Sequence, residues 1–85
     1  MAIFQARVDI MLRHEIKDPQ GLAIAYGLAE LGFDEVQSVR AGKRIDLTLE
    51  SDDIGSAQHR VSEMADKLLA NLTIEDYTVS VTLVD

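Results

Sequence analysis

The chain has no cysteine, no tryptophan, one proline and only 5% aromatic residues among its 85. Without cysteine there is no disulfide to staple a small fold, no thiol nucleophile and no thiolate metal site. No apolar run approaches the roughly 18 residues a membrane helix needs, so a membrane partner is not expected. The N-terminus has no basic patch followed by an apolar stretch of signal-peptide type, which makes the cytoplasm the default compartment. Basic residues are scarce as well: 8 Lys and Arg stand against 15 Asp and Glu, a formal net charge of −7. Beyond residue 44 the only basic residues are Arg60 and Lys67, so the C-terminal half carries the acidic excess. A nucleic-acid binder needs a basic footprint to release counterions, and this balance argues against one. The acidic surface serves solubility in the plainest reading, and in the functional alternative it steers a basic partner.

A single domain spanning 1–85 is expected. A chain of this length buries only about 60 to 65% of the surface it exposes when unfolded, so its own core is thin. With no disulfide to add, the missing stability is expected from self-association, which makes a homo-oligomer the starting assumption.

Apolar periodicity switches between about 2 and about 3.6 along the sequence. Phe4, Ala6, Val8, Ile10 and Leu12 alternate with Gln5, Arg7, Asp9, Met11 and Arg13, a first strand with one core face. Asp18-Pro19-Gln20-Gly21 then fixes a helix start, since an Asp accepts from an orphan N–H of the first turn and a proline is preset for the first helical position. Gly21 is unusual there, because glycine inside a helix costs about 1 kcal/mol relative to alanine. It implies that something packs close to the backbone. The helix runs from about Pro19 to Leu31 with Ile24, Leu28 and Leu31 on one stripe, and Gly32 supplies the left-handed cap.

Val36 to Ala41 and Arg44 to Glu50 read as two strands bent at Gly42-Lys43, the second burying Ile45, Leu47 and Leu49. Asp52 or Asp53 caps a second helix with the stripe Ile54, Ala57, Val61, Met64 and Leu68, ending near Asn71. Tyr77, Val79, Val81 and Leu83 alternate in a last strand. The expected class is α+β in the order β-α-β-β-α-β, the split ferredoxin-like arrangement, with a mainly antiparallel sheet and both helices on one face. The uncovered face then shows Ile3, Met11 and Val84, too apolar for solvent, and dimerisation through the sheet is expected.

Catalytic patterns are few. There is no glycine-rich phosphate loop and no paired-histidine spacing for a metal. His14 and His59 lie on different elements with nothing nearby in sequence to orient them as acid or base. Asp52-Asp53 is better read as a helix cap and Glu75-Asp76 as the lead into the last strand. Glu63 and Lys67, four apart with the acid first, form a surface pair worth a few tenths of a kcal/mol. One basic cluster remains: Arg40, Lys43 and Arg44 around Gly42, where a turn with three cations could hold a phosphate or a partner's acidic patch, or be a solvated edge.

Several stretches together resemble a known family. Val8-Asp9-Ile10-Met11-Leu12-Arg13 leading into Asp18-Pro19-Gln20-Gly21, then Leu31-Gly32-Phe33-Asp34-Glu35-Val36, Val39-Arg40-Ala41-Gly42-Lys43, Lys67-Leu68-Leu69-Ala70-Asn71 and Ile74-Glu75-Asp76-Tyr77 are similar to the small PurS subunit of phosphoribosylformylglycinamidine synthase. The resemblance implies a purine-biosynthesis complex, a glutamine-hydrolysing ligase in which a large synthetase subunit binds ATP and Mg and a separate glutaminase subunit releases ammonia. It implies that this chain carries no catalytic site and no cofactor, bridges the two, and forms dimers that pair into tetramers. Interface residues are expected at the helix start, Asp18, Gln20 and Gly21, and on the hairpin, Arg40 and Lys43, where the resemblance is densest. His14-Glu15 departs from the family's usual Pro-Gly turn after the first strand, which puts contacts made by that loop in doubt. An ACT-like regulatory module shares the split order and is the main alternative. An acylphosphatase-like hydrolase is weaker, because the loop offers Arg13 and Lys17 without a glycine-rich cradle.

Overall fold

β1, Ala2–Leu12, is the central strand of a three-stranded antiparallel sheet ordered β2-β1-β3 in a computed structural model that describes residues 1–84. β2 spans Gly42–Ser51 and β3 spans Glu75–Val84, each paired with β1 along nearly its whole length. α1, Pro19–Glu30, lies between β1 and β2, and α2, Ile54–Met64, followed by a π turn over Ala65–Leu69, lies between β2 and β3.

Alternation in β1 decides which face is the core. Phe4, Ala6, Val8 and Ile10 are buried under α2, opposite Leu49, Leu47 and Ile45 of β2 and Leu83, Val81, Val79 and Tyr77 of β3. A one-residue slip would turn this set to solvent. On the other face, Arg7 sits opposite Asp46 at 3.2 Å and Arg44 opposite Asp9 at 2.7 Å, so the same register also pairs charges.

Both helix starts form as the sequence predicts. Asp18 and Asp53 accept from the N–H groups of Gly21 and Ser56 at 2.9 and 2.7 Å. α1 ends with Gly32 at φ 95°, while Gly32 N–H donates to the Ala29 carbonyl and Phe33 N–H to that of Leu28, the paired pattern of a glycine-capped helix.

The α+β class and antiparallel sheet agree with the sequence reading, but the element count does not. Val36–Ala41 forms no strand and Gly42-Lys43 no hairpin; Gly42 opens β2 directly opposite Met11. The reason is that this segment's backbone is engaged elsewhere: Ala41 N–H donates to Asp18 and the Val39 carbonyl lies against Gly21. The α2 stripe is also rotated. Ala57, Val61 and Ala65 are buried whereas Leu68 is 83% exposed, because the π turn, closed by Ala70 N–H to the Ala65 carbonyl at 2.9 Å, advances the helix by one residue and turns Leu69 inward instead.

Among the described residues, only one helix covers the sheet. α2 packs on all three strands, most closely on β3, while α1 has no comparable contact with any of them. Residues 13–41 leave and return at the same end of the sheet, where Met11 faces Gly42, and stand out as an arm. The molecule is accordingly 52 × 29 × 14 Å with a radius of gyration of 16.6 Å. A compact chain of this length would have about 12 Å.

Candidate functional site

The arm is fixed at its root by two side chains from opposite ends of its sequence. The Asp18 carboxylate, 7% exposed, takes the Gly21 N–H on one oxygen and the Ala41 N–H, at 2.8 Å, on the other. These two N–H groups, followed by the nearby Arg40 charge, hold its pKa below the usual 3.8. Arg40 spans the loop before the helix, donating to the carbonyls of Leu12, Arg13 and Ile16 at 3.2, 2.8 and 3.1 Å. Gly21 fits this lock for the reason its position suggested. A Cβ there would collide with the Val39 carbonyl oxygen and crowd the Asp18 carboxylate.

Of the five residues the sequence singled out as an interface, the structure brings Asp18, Gly21 and Arg40 together as this lock. Gln20 and Lys43 are exposed and line a shallow cleft of about 200 Å³ beside Asp18. A second cleft of about 400 Å³ runs between His14, Lys17, Leu22 and the returning Gln37–Arg40. Lys43 faces Ile10 across the sheet, and Arg44 is drawn off by Asp9, whose hydrogen bond raises its pKa. The expected cluster of three cations around a turn is therefore dispersed. His14 and His59 are on separate elements, and among the described residues no group of three His, Asp or Glu is placed to hold a metal ion. No helix of the described residues is long and apolar enough to cross a membrane.

Three features escaped the sequence reading. Arg13 donates to the Leu72 carbonyl at 2.6 Å and lies 3.5 Å from Asp76, fastening the end of β1 to the turn before β3. The Tyr77 hydroxyl donates to Asp66 at 2.6 Å, which raises the phenol pKa and pins the π turn to β3. The third is the arm itself. Leu22, Ile24, Tyr26, Leu31 and Phe33 are 42 to 74% exposed, and of the whole helix only Gly21 is buried. The signal was present in the composition of PQGLAIAYGLAE, whose only strongly polar side chains are Gln20 and Glu30. A helix apolar on nearly every side is a helix meant to be buried.

The open face of the sheet is less apolar than expected. Its centre carries the Arg7–Asp46 and Asp9–Arg44 pairs with Gln5, Thr48, Ser80 and Thr82, and Ile3, Met11 and Val84 sit only toward its ends. The unclaimed apolar surface is on the helix side.

These properties define a small antiparallel α+β module with a locked helical arm that its own sheet does not cover. The chain belongs to the PurS family: the family model described as phosphoribosylformylglycinamidine (FGAM) synthase matches residues 5–83. It is 42% identical over 82 residues to the phosphoribosylformylglycinamidine synthase subunit PurS of Synechocystis, covering 96% of this chain and 82% of that one. The crystal structure of Methanocaldococcus jannaschii PurS, a subunit of formylglycinamide ribonucleotide amidotransferase, superposes with a TM-score of 0.87 at 34% identity, covering 96% and 99% of the two chains. A chain of the PurLQS structure from Thermotoga maritima superposes with a TM-score of 0.88 at 30% identity, covering 96% of this chain and 100% of that one.

Proposed function

We propose that this chain is the assembly subunit of phosphoribosylformylglycinamidine synthase in purine biosynthesis, bridging the large synthetase and the glutaminase and supporting ammonia transfer between them. Its PurS family membership makes it a subunit of that ligase, and the likeness to a chain of the T. maritima PurLQS structure supports an assembled role. The observation that carries the reading is surface. The chain exposes 6137 Å², where a compact monomer of this mass exposes about 5,000 Å². The surplus, with the apolar arm inside it, suits a chain that works by being covered.

In this reading ATP and Mg belong to the synthetase partner and glutamine to the glutaminase. The small subunit contributes position. Ammonia released at one site is lost by diffusion unless the second site is held close, and fixing the two active sites relative to one another raises transfer by proximity. Self-association into a dimer, or a tetramer built from it, sets the spacing, and the cytoplasm is the compartment. The Asp18–Arg40 lock gives the arm a fixed direction, which a spacer needs and a flexible loop lacks. An ACT-like regulatory role is disfavoured, since among the described residues the fourth strand of that split order does not form.

The test is reconstitution. Synthetase and glutaminase are assayed with and without this chain, once on glutamine and once on excess ammonium. Omission is expected to reduce glutamine-dependent amidine formation at least tenfold more than ammonium-fed formation. Equal losses would mean that the chain shapes the synthetase site and does not serve transfer.

A further inference from the structure

We propose that the open face of the sheet carries a carboxylate-binding cup, built from Gln5 and Arg7 of β1 with Ser80 and Thr82 of β3, and that its occupant is an Asp or Glu side chain of a companion subunit. The carboxylate chemistry stands on the geometry of the cup; the companion as its source rests on the assembly role proposed above.

Strand register builds the cup. Gln5 lies opposite Thr82 and Arg7 opposite Ser80. Alternate residues of a strand share a face, so the four side chains stand at the corners of a rectangle about 5 Å by about 7 Å. They line a cavity of about 140 Å³ and all four are exposed. An ionised carboxylate only accepts hydrogen bonds, and every corner can donate: a guanidinium, two hydroxyls and a carboxamide. No acid lines the cup.

Arg7 keeps donors in reserve. Its Nε meets Asp46 at 3.2 Å, and among the described residues its terminal N–H groups have no acceptor. Asp46 comes from β2, on the side of β1 away from Ser80 and Thr82, so it steadies the guanidinium without filling the cup. Arg44 shows the contrast on the same face. The cleft it lines includes Asp9, whose carboxylate lies 2.7 Å from the Arg44 Nε, so that cleft already holds an acid. Arg13 and Arg40 spend terminal N–H groups on carbonyls.

Charge and shape select the occupant. Asp9 and Asp46 share the face with Arg7 and the chain carries −7, so a phosphate dianion meets repulsion that a single carboxylate largely escapes. A planar carboxylate also matches the parallel N–H pair of a guanidinium, a fit that a lysine ammonium lacks. A free monocarboxylate gains little in an exposed cup. The same group carried on an apposed protein surface arrives at high effective concentration, beside a face of hydroxyls and paired charges that suits a polar interface.

The experiment uses the full chain, labelled with nitrogen-15 and titrated with sodium acetate or with inorganic phosphate, chloride keeping the ionic strength constant. Acetate is expected to shift the Arg7 Nε–H and the Ser80 and Thr82 amides along a saturating curve, half complete at about 10 to 100 mM, the range of one exposed charged contact. Arg7→Lys, and Ser80→Ala combined with Thr82→Val, are each expected to weaken it about threefold or more, while Arg44→Lys leaves it unchanged. Shifts that climb without saturating, that survive Arg7→Lys, or that phosphate produces at lower concentration would overturn the cup. The same variants are then mixed with synthetase and glutaminase and the Kd of the complex is read by sedimentation. Arg7→Lys is expected to raise it about tenfold, the scale of a lost charged hydrogen bond. An unchanged Kd beside saturable acetate binding would overturn the companion subunit as the source. A wild-type chain that takes acetate yet joins neither subunit would sink the assembly role, and the companion with it, while the carboxylate chemistry of the cup stands.

Discussion

Asp18 and Ala41 lie 23 residues apart in the chain and are joined by a 2.8 Å hydrogen bond from the Ala41 N–H to the Asp18 carboxylate. Since the other oxygen of the same carboxylate caps α1 through Gly21, one side chain closes both ends of the arm. Asp53 performs only the capping half of this work, on Ser56. The two aspartates should therefore respond differently to the same substitution. Asp53→Asn should keep most of the wild-type urea midpoint, because asparagine caps a helix as well as aspartate does. Asp18→Asn should lose more, since its amide nitrogen cannot accept from Ala41 N–H while its oxygen caps Gly21.

The same carboxylates set the acid limit. Both have folded pKa values depressed below 3.8, first by a backbone N–H, so their stabilisation is present above that value and is lost as pH falls through it toward the folded pKa. The urea midpoint should hold from pH 7 to about 5 and drop below about 4. The drop should be shallower in the Asp18→Asn, Asp53→Asn double variant. Tyr77 acts at the opposite end: its pKa is raised above 10.0, chiefly by the bond to Asp66, so its contribution is present below pH 10.0 and lost above it. Tyr77→Phe should remove that alkaline step.

Arg40 reaches three carbonyls from one guanidinium, which a lysine ammonium on a single stem cannot reproduce. Arg40→Ala and Arg40→Lys should both speed hydrogen exchange of the α1 amides by about tenfold, the scale of a lost charged hydrogen bond. The β1 amides should be unchanged. Equal protection in the lysine variant would mean that charge alone holds the loop.

Gly21→Ala gains helix propensity and loses space. The collision with the Val39 carbonyl should win, giving a net loss of about 1 to 3 kcal/mol by denaturant titration. Gly55→Ala is the counterpart, since its nearest neighbour is the Asp53 carboxylate at 3.4 Å, an ordinary contact. It should raise stability by about 0.5 to 1 kcal/mol.

How much of this was readable in the sequence depends on whether the deciding interaction was local. The alternation of β1, the Asp18 and Asp53 caps and the Gly32 terminator are settled within a few residues, and each forms as expected. Val36–Ala41 has strand-like residues, but the Asp18 carboxylate and the Gly21 backbone claim it first, and no periodicity reports a competitor that distant. The α2 stripe was misjudged at Leu68 because constant helical pitch was assumed across a π turn. Asp18, Gly21 and Arg40 were conspicuous by position, and the hydrogen bonds that join them at the root of the arm are the part that the sequence did not show. The apolar arm could have been found from composition, as a helix almost without polar residues, but composition does not say that the sheet of the same chain leaves it uncovered.

The reach of that arm also bears on quantity. Among the described residues, nine side chains make up the buried apolar core, so in the assembly proposed above much of the free energy of folding would come from whatever covers the helix. The midpoint of denaturation should then rise with protein concentration. In a cell, copies made in excess of their companions would spend more time unfolded and be removed first, so that turnover matches supply to demand.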